Sequence, residues 1–193
     1  MTFYSGARYP SRVRLDGRYT SLEPLDATAH SDALFGATRG RGNDDLWRYL
    51  ADGPFDSADA FRQEIARKAV SADAVFLAIL DAARARSIGY ASYMRIEPAH
   101  GVIEVGNVLF SRELQGTTGA TEAMYLMARH AFEDLGYRRY EWKCNALNAP
   151  SRAAALGALA SLAVADARVE AAKVAAPVIS DFNTLRRDGR SDM

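Results

Sequence analysis

The chain is poor in the residues that staple a fold or hold a metal. Cys144 is its single cysteine, which excludes an internal disulfide framework and any multi-cysteine zinc site. The three histidines, His30, His100 and His130, lie far apart without ligand spacing, so no metal is expected. An excess of either charge is also missing, because 24 basic side chains balance 24 acidic ones. Zero formal charge creates no long-range field toward nucleic acid or an anionic membrane. No apolar run approaches membrane-spanning length, and the opening MTFYSGARYPSR lacks the apolar core of a signal peptide. These absences make a soluble cytoplasmic protein the default. No Pro, Gly or Ser-rich linker divides the chain and no period repeats, so its 193 residues suit one well-buried domain.

What is present is a succession of strand-like and helix-like periodicities. Arg18 to Leu25 (RYTSLEPL) reads as a first strand closed by Pro24. Asp26 or Thr28 then caps a helix through Phe35. GATRGRGND is a connection, and Asp44 to Leu50 (DDLWRYL) reads as a short helix stopped by Gly53-Pro54. Ser57 caps the next helix, with Phe61, Ile65 and Ala69 on one face. Three strands follow as a meander: Ala74 to Asp81, Ser87 to Ile96 and Val102 to Phe110, separated by polar turns. Ala120 to Leu135 is the clearest helix. Ala120, Ala123, Met124, Met127, Ala131 and Leu135 form its apolar stripe, Gly136 stops it, and His130 falls on its polar face. Tyr137 to Asn145 is a strand with Tyr140, Trp142 and Cys144 on one face, and Pro150 suits the first turn of a helix through Leu156. The Ala-rich run from Ala153 to Ala176 has the composition to continue that helix, and Ala176 to Ile179 fits one short strand. This order gives an α/β fold with a mixed, mostly antiparallel sheet flanked by helices.

The most informative stretch is Val102 to Ala123, VIEVGNVLFSRELQGTTGATEA, in which a strand enters a Gly/Thr turn that opens into a helix. Exposed N–H groups at a helix N-terminus carry partial positive charge and seat a phosphate. The Lys-Ser/Thr pair of a nucleotide P-loop and the full glycine set of a dinucleotide fingerprint are both absent. With no net positive charge either, a nucleotide- or nucleic-acid-binding role has little support. The run Gln115-Gly116-Thr117-Thr118-Gly119-Ala120 instead resembles the acyl-CoA pyrophosphate loop of the GNAT superfamily of N-acetyltransferases, Gln/Arg-x-x-Gly-x-Gly/Ala. Ala120-Thr121-Glu122-Ala123, the strand YEWKCN and Asn145-x-x-Asn148-x-x-Ser151 extend the resemblance to the RimJ/RimL-like branch, related to ribosomal-protein alanine acetyltransferases. It covers residues 14–156. Residues 157–193 form a divergent Ala-rich segment, without the family's Arg/Lys-Leu-Gly-Phe step and terminal hairpin.

The resemblance implies the GNAT fold, acetyl-CoA as cosubstrate and an amine acceptor. The backbone of Asn107, Val108, Leu109 and Phe110 would pair with the pantetheine arm. Gln115, Gly116, Thr117, Thr118, Gly119, Ala120 and Thr121 would hold the pyrophosphate, with Thr118 standing where the pattern has glycine. A backbone N–H of Val108 or Leu109 would meet the oxyanion. The tyrosine that many GNAT enzymes place four residues beyond Ser151 is Ala155 here. Ser151 is therefore the candidate donor to the leaving thiol; the alternative is a helix-start hydroxyl capping its own backbone. Asn148 would order the loop and bond the pantetheine amide. Glu104 is the leading candidate base and Glu141 the second, against the alternative of solvated or cross-strand carboxylates. An α-amine, with a pKa near 8, needs less help from a base than a lysine at about 10.4. Trp47 and Tyr49 either line the acceptor pocket or pack. Met124 and Met127 belong to the core, Cys144 is a small buried hydrophobe, and Arg138-Arg139 and Arg186-Arg187 are solvated charge. The expected activity is acetyl transfer from acetyl-CoA to a protein N-terminus or small amine, with a non-catalytic acyl-CoA-binding module or an inactive remnant of an enzyme as the alternative. Neither nucleic acid nor membrane is an expected partner, whereas a sheet edge left open by the missing hairpin would favour a homodimer.

Overall fold

The computed structural model of the chain describes residues 4–165. One six-stranded sheet runs in the order β1-β2-β3-β4-β5-β6. Its strands are β1 (Leu15–Asp16), β2 (Thr20–Pro24), β3 (Ala74–Asp81), β4 (Arg86–Glu97), β5 (Val102–Phe110) and β6 (Arg139–Trp142). All neighbours are antiparallel except β5 and β6, which pair in parallel from Val102↔Arg139 to Val105↔Trp142. The expected mixed sheet is present, with one addition. The two-residue β1 pairs with β2 and is too short to show a sequence period.

Four α-helices flank the sheet: α1 (Ala27–Thr38), α2 (Ala58–Ala69), α3 (Thr118–Arg129) and α4 (Ala149–Ala165). Of the two candidate caps of α1, Asp26 is the one used: its carboxylate accepts the Ala29 N–H at 2.8 Å. Ser57 caps α2 as expected, accepting the Ala60 N–H at 3.2 Å. Between them, Arg41–Trp47 forms a 3-10 segment rather than the short helix expected from Asp44. Strand β3 is apolar from Ala74 to Leu80 because it is buried on both faces. Phe76, Ala78 and Leu80 join the α1–α2 side with Leu34, Phe61 and Ile65, while Val75, Leu77 and Ile79 join the α3–α4 side with Met124 and Met127. Trp47 packs into the α1–α2 core against Phe55 and Phe61, whereas Tyr49 is exposed.

Three sequence expectations change at the far end. The helix expected to reach Leu135 stops at Arg129 and continues as a wider π turn, His130–Asp134. His130 is buried rather than polar-facing: the wider turn begins at this residue, and the imidazole lies 6.4 Å from the Tyr93 ring of β4. Its Nδ1 pairs with Asp134 at 2.7 Å. Cys144, expected to be buried, is half-buried at the edge of the main core. Helix α4 runs on to Ala165, nine residues past Leu156. The short strand expected at Ala176–Ile179 and the pair Arg186-Arg187 lie outside the described residues. Among the described residues, no helix is long and apolar enough to cross a membrane.

Candidate functional site

Parallel pairing between β5 and β6 ends at Val105 and Trp142, while β5 continues to Phe110. Gly106 to Phe110 therefore have β4 on one side and, among the described residues, no strand on the other. Asn107 sits at this fork with φ +51°, a left-handed conformation that asparagine tolerates better than most residues. The ladder to β4 shifts register there, between Tyr90 and Ser92. The Asn107 side chain holds the bulge by donating to Ser92 Oγ at 2.9 Å, and that hydroxyl donates to Gly106 O at 3.2 Å. Beyond the bulge, Ser111 N–H donates to Ile88 O at 3.0 Å. Strand alternation then turns the main-chain groups of Leu109 toward β4 and those of Val108 and Phe110 toward the open side.

The loop after β5 closes on itself before α3 begins. Gln115 and Leu114 N–H both donate to Ser111 O at 3.0 Å, and Gly116 turns the chain at φ +70°. Thr117, one of the loop residues expected to face phosphate, is the cap of α3: its hydroxyl accepts the Ala120 N–H at 3.1 Å and donates to Leu114 O at 2.7 Å. The amides of Gly116, Thr118 and Gly119 have no acceptor among the described residues. Thr118 is exposed, so its Cβ does not crowd the loop. Gly119 has the opposite setting, because a Cβ there would lie 2.8 Å from Thr20 Cγ2 and push α3 off β2. The Gln115 amide donates to Phe110 O at 3.3 Å. Arg112 bonds Gly42 O at 3.1 Å and pairs with Asp45, which ties the 3-10 segment to this loop.

Ser151 stands on the first turn of α4. Asn148 caps that helix by accepting the Ser151 N–H at 3.1 Å, so the serine hydroxyl is not the cap. Ser151 Oγ instead accepts the Trp142 indole N–H at 2.9 Å. Thr121 lies on the α4 side of α3, its hydroxyl 3.8 Å from where a Cβ on Gly157 would sit. Ala155 is buried in the main core, away from solvent.

On the opposite sheet face, Glu104 is buried and doubly paired, with Arg95 on β4 and with Lys143 Nζ at 2.7 Å. Lys143 also binds Glu141 at 2.5 Å, and Glu141 binds Arg139 at 2.6 Å. Burial alone would lower the Lys143 pKa, but hydrogen bonds to Glu104 and Glu141 outweigh it and hold the ammonium above its ordinary value. The hydrogen bond from Lys143 holds the Glu141 carboxyl below its ordinary value. Both carboxylates singled out in the sequence thus belong to one chain of alternating charge. Its cations Arg95 and Lys143 carried no sequence signal, because they reach Glu104 from neighbouring strands.

The comparisons with known proteins bear on the fold and the family. The acetyltransferase (GNAT) domain family matches residues 21–158. A GCN5-related N-acetyltransferase of Brucella melitensis is 37% identical with a TM-score of 0.76, over 79% of this chain and 69% of that one. A protein of Chromobacterium violaceum described as a probable acetyltransferase (GNAT family) is also 37% identical, with a TM-score of 0.74 over 82% of this chain and 78% of that one. The microcin C7 self-immunity acetyltransferase MccE, solved with acetyl-CoA and AMP, shares the fold at 19% identity and a TM-score of 0.62, over 74% of this chain and 78% of that one. No curated protein matches the chain. The match over most of the described residues, together with the two relatives at 37% identity, places the chain in the GNAT acetyltransferase family.

Proposed function

We propose that the protein transfers an acetyl group from acetyl-CoA to a primary amine, a protein N-terminus or a small amine, by direct attack. The observation that carries this reading is the fork: β5 loses its neighbour after Val105, the loop that follows it presents three amides without acceptors among the described residues at the start of α3, and the Ser151 hydroxyl is bonded to Trp142 at the last paired position of β6. A pantetheine arm supplies the missing neighbour to β5, and the amides of Gly116, Thr118 and Gly119 meet the pyrophosphate. MccE, which shares the fold, was solved with acetyl-CoA. Of the two backbone donors considered for the oxyanion, Val108 is the one facing the open side, and a fixed N–H there needs no reorganisation as charge builds.

In the reaction the amine nitrogen bonds the acetyl carbon and loses a proton to water while the carbon–sulphur bond breaks and the thiolate takes a proton from water. Ser151 donates a hydrogen bond to the departing sulphur. Glu104 and Glu141, already bonded to cations, hold the charged floor of the acceptor side rather than take the proton. Asn148 acts through α4, whose first turn it caps.

Titration calorimetry with CoA, acetyl-CoA and ATP tests the cofactor half. Binding of both CoA species and not ATP is expected; absence of CoA binding overturns the reading. Thiol release over a panel of amines tests turnover, and binding without release favours the non-catalytic module. Ser151→Ala is expected to lower kcat about tenfold to thirtyfold with little change in the acetyl-CoA KM, the size of one lost transition-state hydrogen bond. Gly119→Ala should weaken CoA binding about tenfold, since moving α3 off Thr20 misplaces the amides by a few tenths of an ångström. Calorimetry on that variant reads the change directly.

A further inference from the structure

Trp142 occupies the last paired position of β6, opposite Val105, at the apex of the fork. Its ring is buried in the main core, and its indole nitrogen can only donate. That donor goes to Ser151 Oγ at 2.9 Å, across nine residues of chain and from strand to helix. A serine hydroxyl has one proton and two acceptor positions. With Trp142 on one acceptor position, the hydroxyl proton must point away from the indole, and it has no acceptor among the described residues. The serine is fixed a second time at its backbone, by the Asn148 carboxamide. A packing-only tryptophan would need some partner for its buried N–H, but not this particular one. Here the partner is the hydroxyl of Ser151, on the first turn of the helix that follows β6.

We infer that Trp142 is a positioning residue for acetyl transfer: its indole N–H fixes the Ser151 rotamer and leaves the hydroxyl proton free for the departing sulphur. The inference rests on the acetyl-transfer reading above and on Ser151's part in it. As the carbon–sulphur bond breaks and negative charge collects on sulphur, the Ser151 proton leans toward it and charge builds on Oγ. The indole dipole then stabilises that oxygen as well as orienting it. No bond to Ser151 or Trp142 forms or breaks, and Trp142 touches neither substrate.

Kinetics of Trp142→Phe, Ser151→Ala and the double variant separate the possibilities. Trp142→Phe is expected to lower kcat about fivefold to tenfold with the acetyl-CoA KM within about twofold. The double variant should be no slower than Ser151→Ala alone, because the indole has nothing left to orient. A tryptophan that matters only for packing would slow both backgrounds by the same factor, and that additive result overturns the inference. So does a Trp142→Phe enzyme at full kcat beside a slow Ser151→Ala. Full activity in Ser151→Ala overturns instead the role of Ser151 on which the inference stands. Trp142→benzothienylalanine keeps the bicyclic volume without the N–H and gives the same readings should the smaller phenylalanine loosen the core.

Discussion

Glu122→Ala is expected to lower the unfolding free energy by about 3 kcal/mol. The Glu122 carboxylate, in the second turn of α3, accepts the backbone N–H groups of Arg18, Tyr19 and Thr20 at 2.9, 2.7 and 2.9 Å. It also accepts the Thr20 hydroxyl at 3.3 Å. This one side chain therefore holds the β1–β2 turn onto the helix that opens the candidate cofactor site. Gly17 makes the approach possible, since a Cβ there would come within 2.6 Å of the carboxylate. Alanine leaves the turn amides without acceptors. Those of Arg18 and Tyr19 can rehydrate and the Thr20 hydroxyl keeps Gly119 O at 3.3 Å, but the buried Thr20 N–H cannot be rehydrated, which keeps the cost below three full losses. Urea unfolding checks the value, and a loss under about 1 kcal/mol would mean that water replaces the carboxylate without strain.

The same contact sets an acid limb on stability. Burial pushes the Glu122 pKa up, but three backbone N–H bonds outweigh it and the carboxyl titrates below its ordinary 4.5. A depressed folded-state pKa contributes stability that is complete above the ordinary value and is lost as pH falls through the lower one. The melting temperature of the native chain should therefore drop below about pH 4.5 more steeply than that of Glu122→Gln, which has no charge to lose there.

How far the sequence could be read follows from the range of the interactions involved. Strand β3 and the caps Asp26 and Ser57 declare themselves within a few residues, because alternation, apolar runs and capping are local. The fold class needed only the order of such elements. The ATEA run also marked the family, yet the job of its glutamate was invisible, since the turn it clamps lies about a hundred residues earlier in the chain. His130 was misplaced for a related reason: a helical wheel assumes a regular α-helix, whereas a π turn starts at His130 and the imidazole lies beside Tyr93 of β4. At the candidate site, the loop from Gln115 to Ala120 was legible as a motif, but its division of labour was not. Thr117 caps the helix, Gly119 admits Thr20, and the amides of Gly116, Thr118 and Gly119 have no acceptor among the described residues. The Trp142–Ser151 bond depends on β6 ending level with the start of α4, which no spacing within either segment encodes.

Glu104→Ala is the second large effect, again about 3 kcal/mol, the lower end of what breaking a buried ion pair costs. The carboxylate is 2% exposed and receives both Arg95 and Lys143. Backbone geometry shows that the pairing is held under strain: Arg95 is at φ +44°, beside a register shift in β4 between Met94 and Glu97. Without Glu104, Lys143 keeps only Glu141, and Arg95 turns out to solvent, where half of it already lies. That escape route is why the estimate stays at the low end. Kinetics then distinguish a structural carboxylate from a catalytic one. Both carboxylate oxygens are already engaged by Arg95 and Lys143, so Glu104→Gln should keep kcat within about tenfold and preserve the rise of kcat/KM with pH that follows ionisation of the acceptor amine. A loss of about a thousandfold in kcat/KM with that rise abolished would instead make Glu104 the group that takes the amine proton, and would require Lys143 to leave it when the acceptor binds.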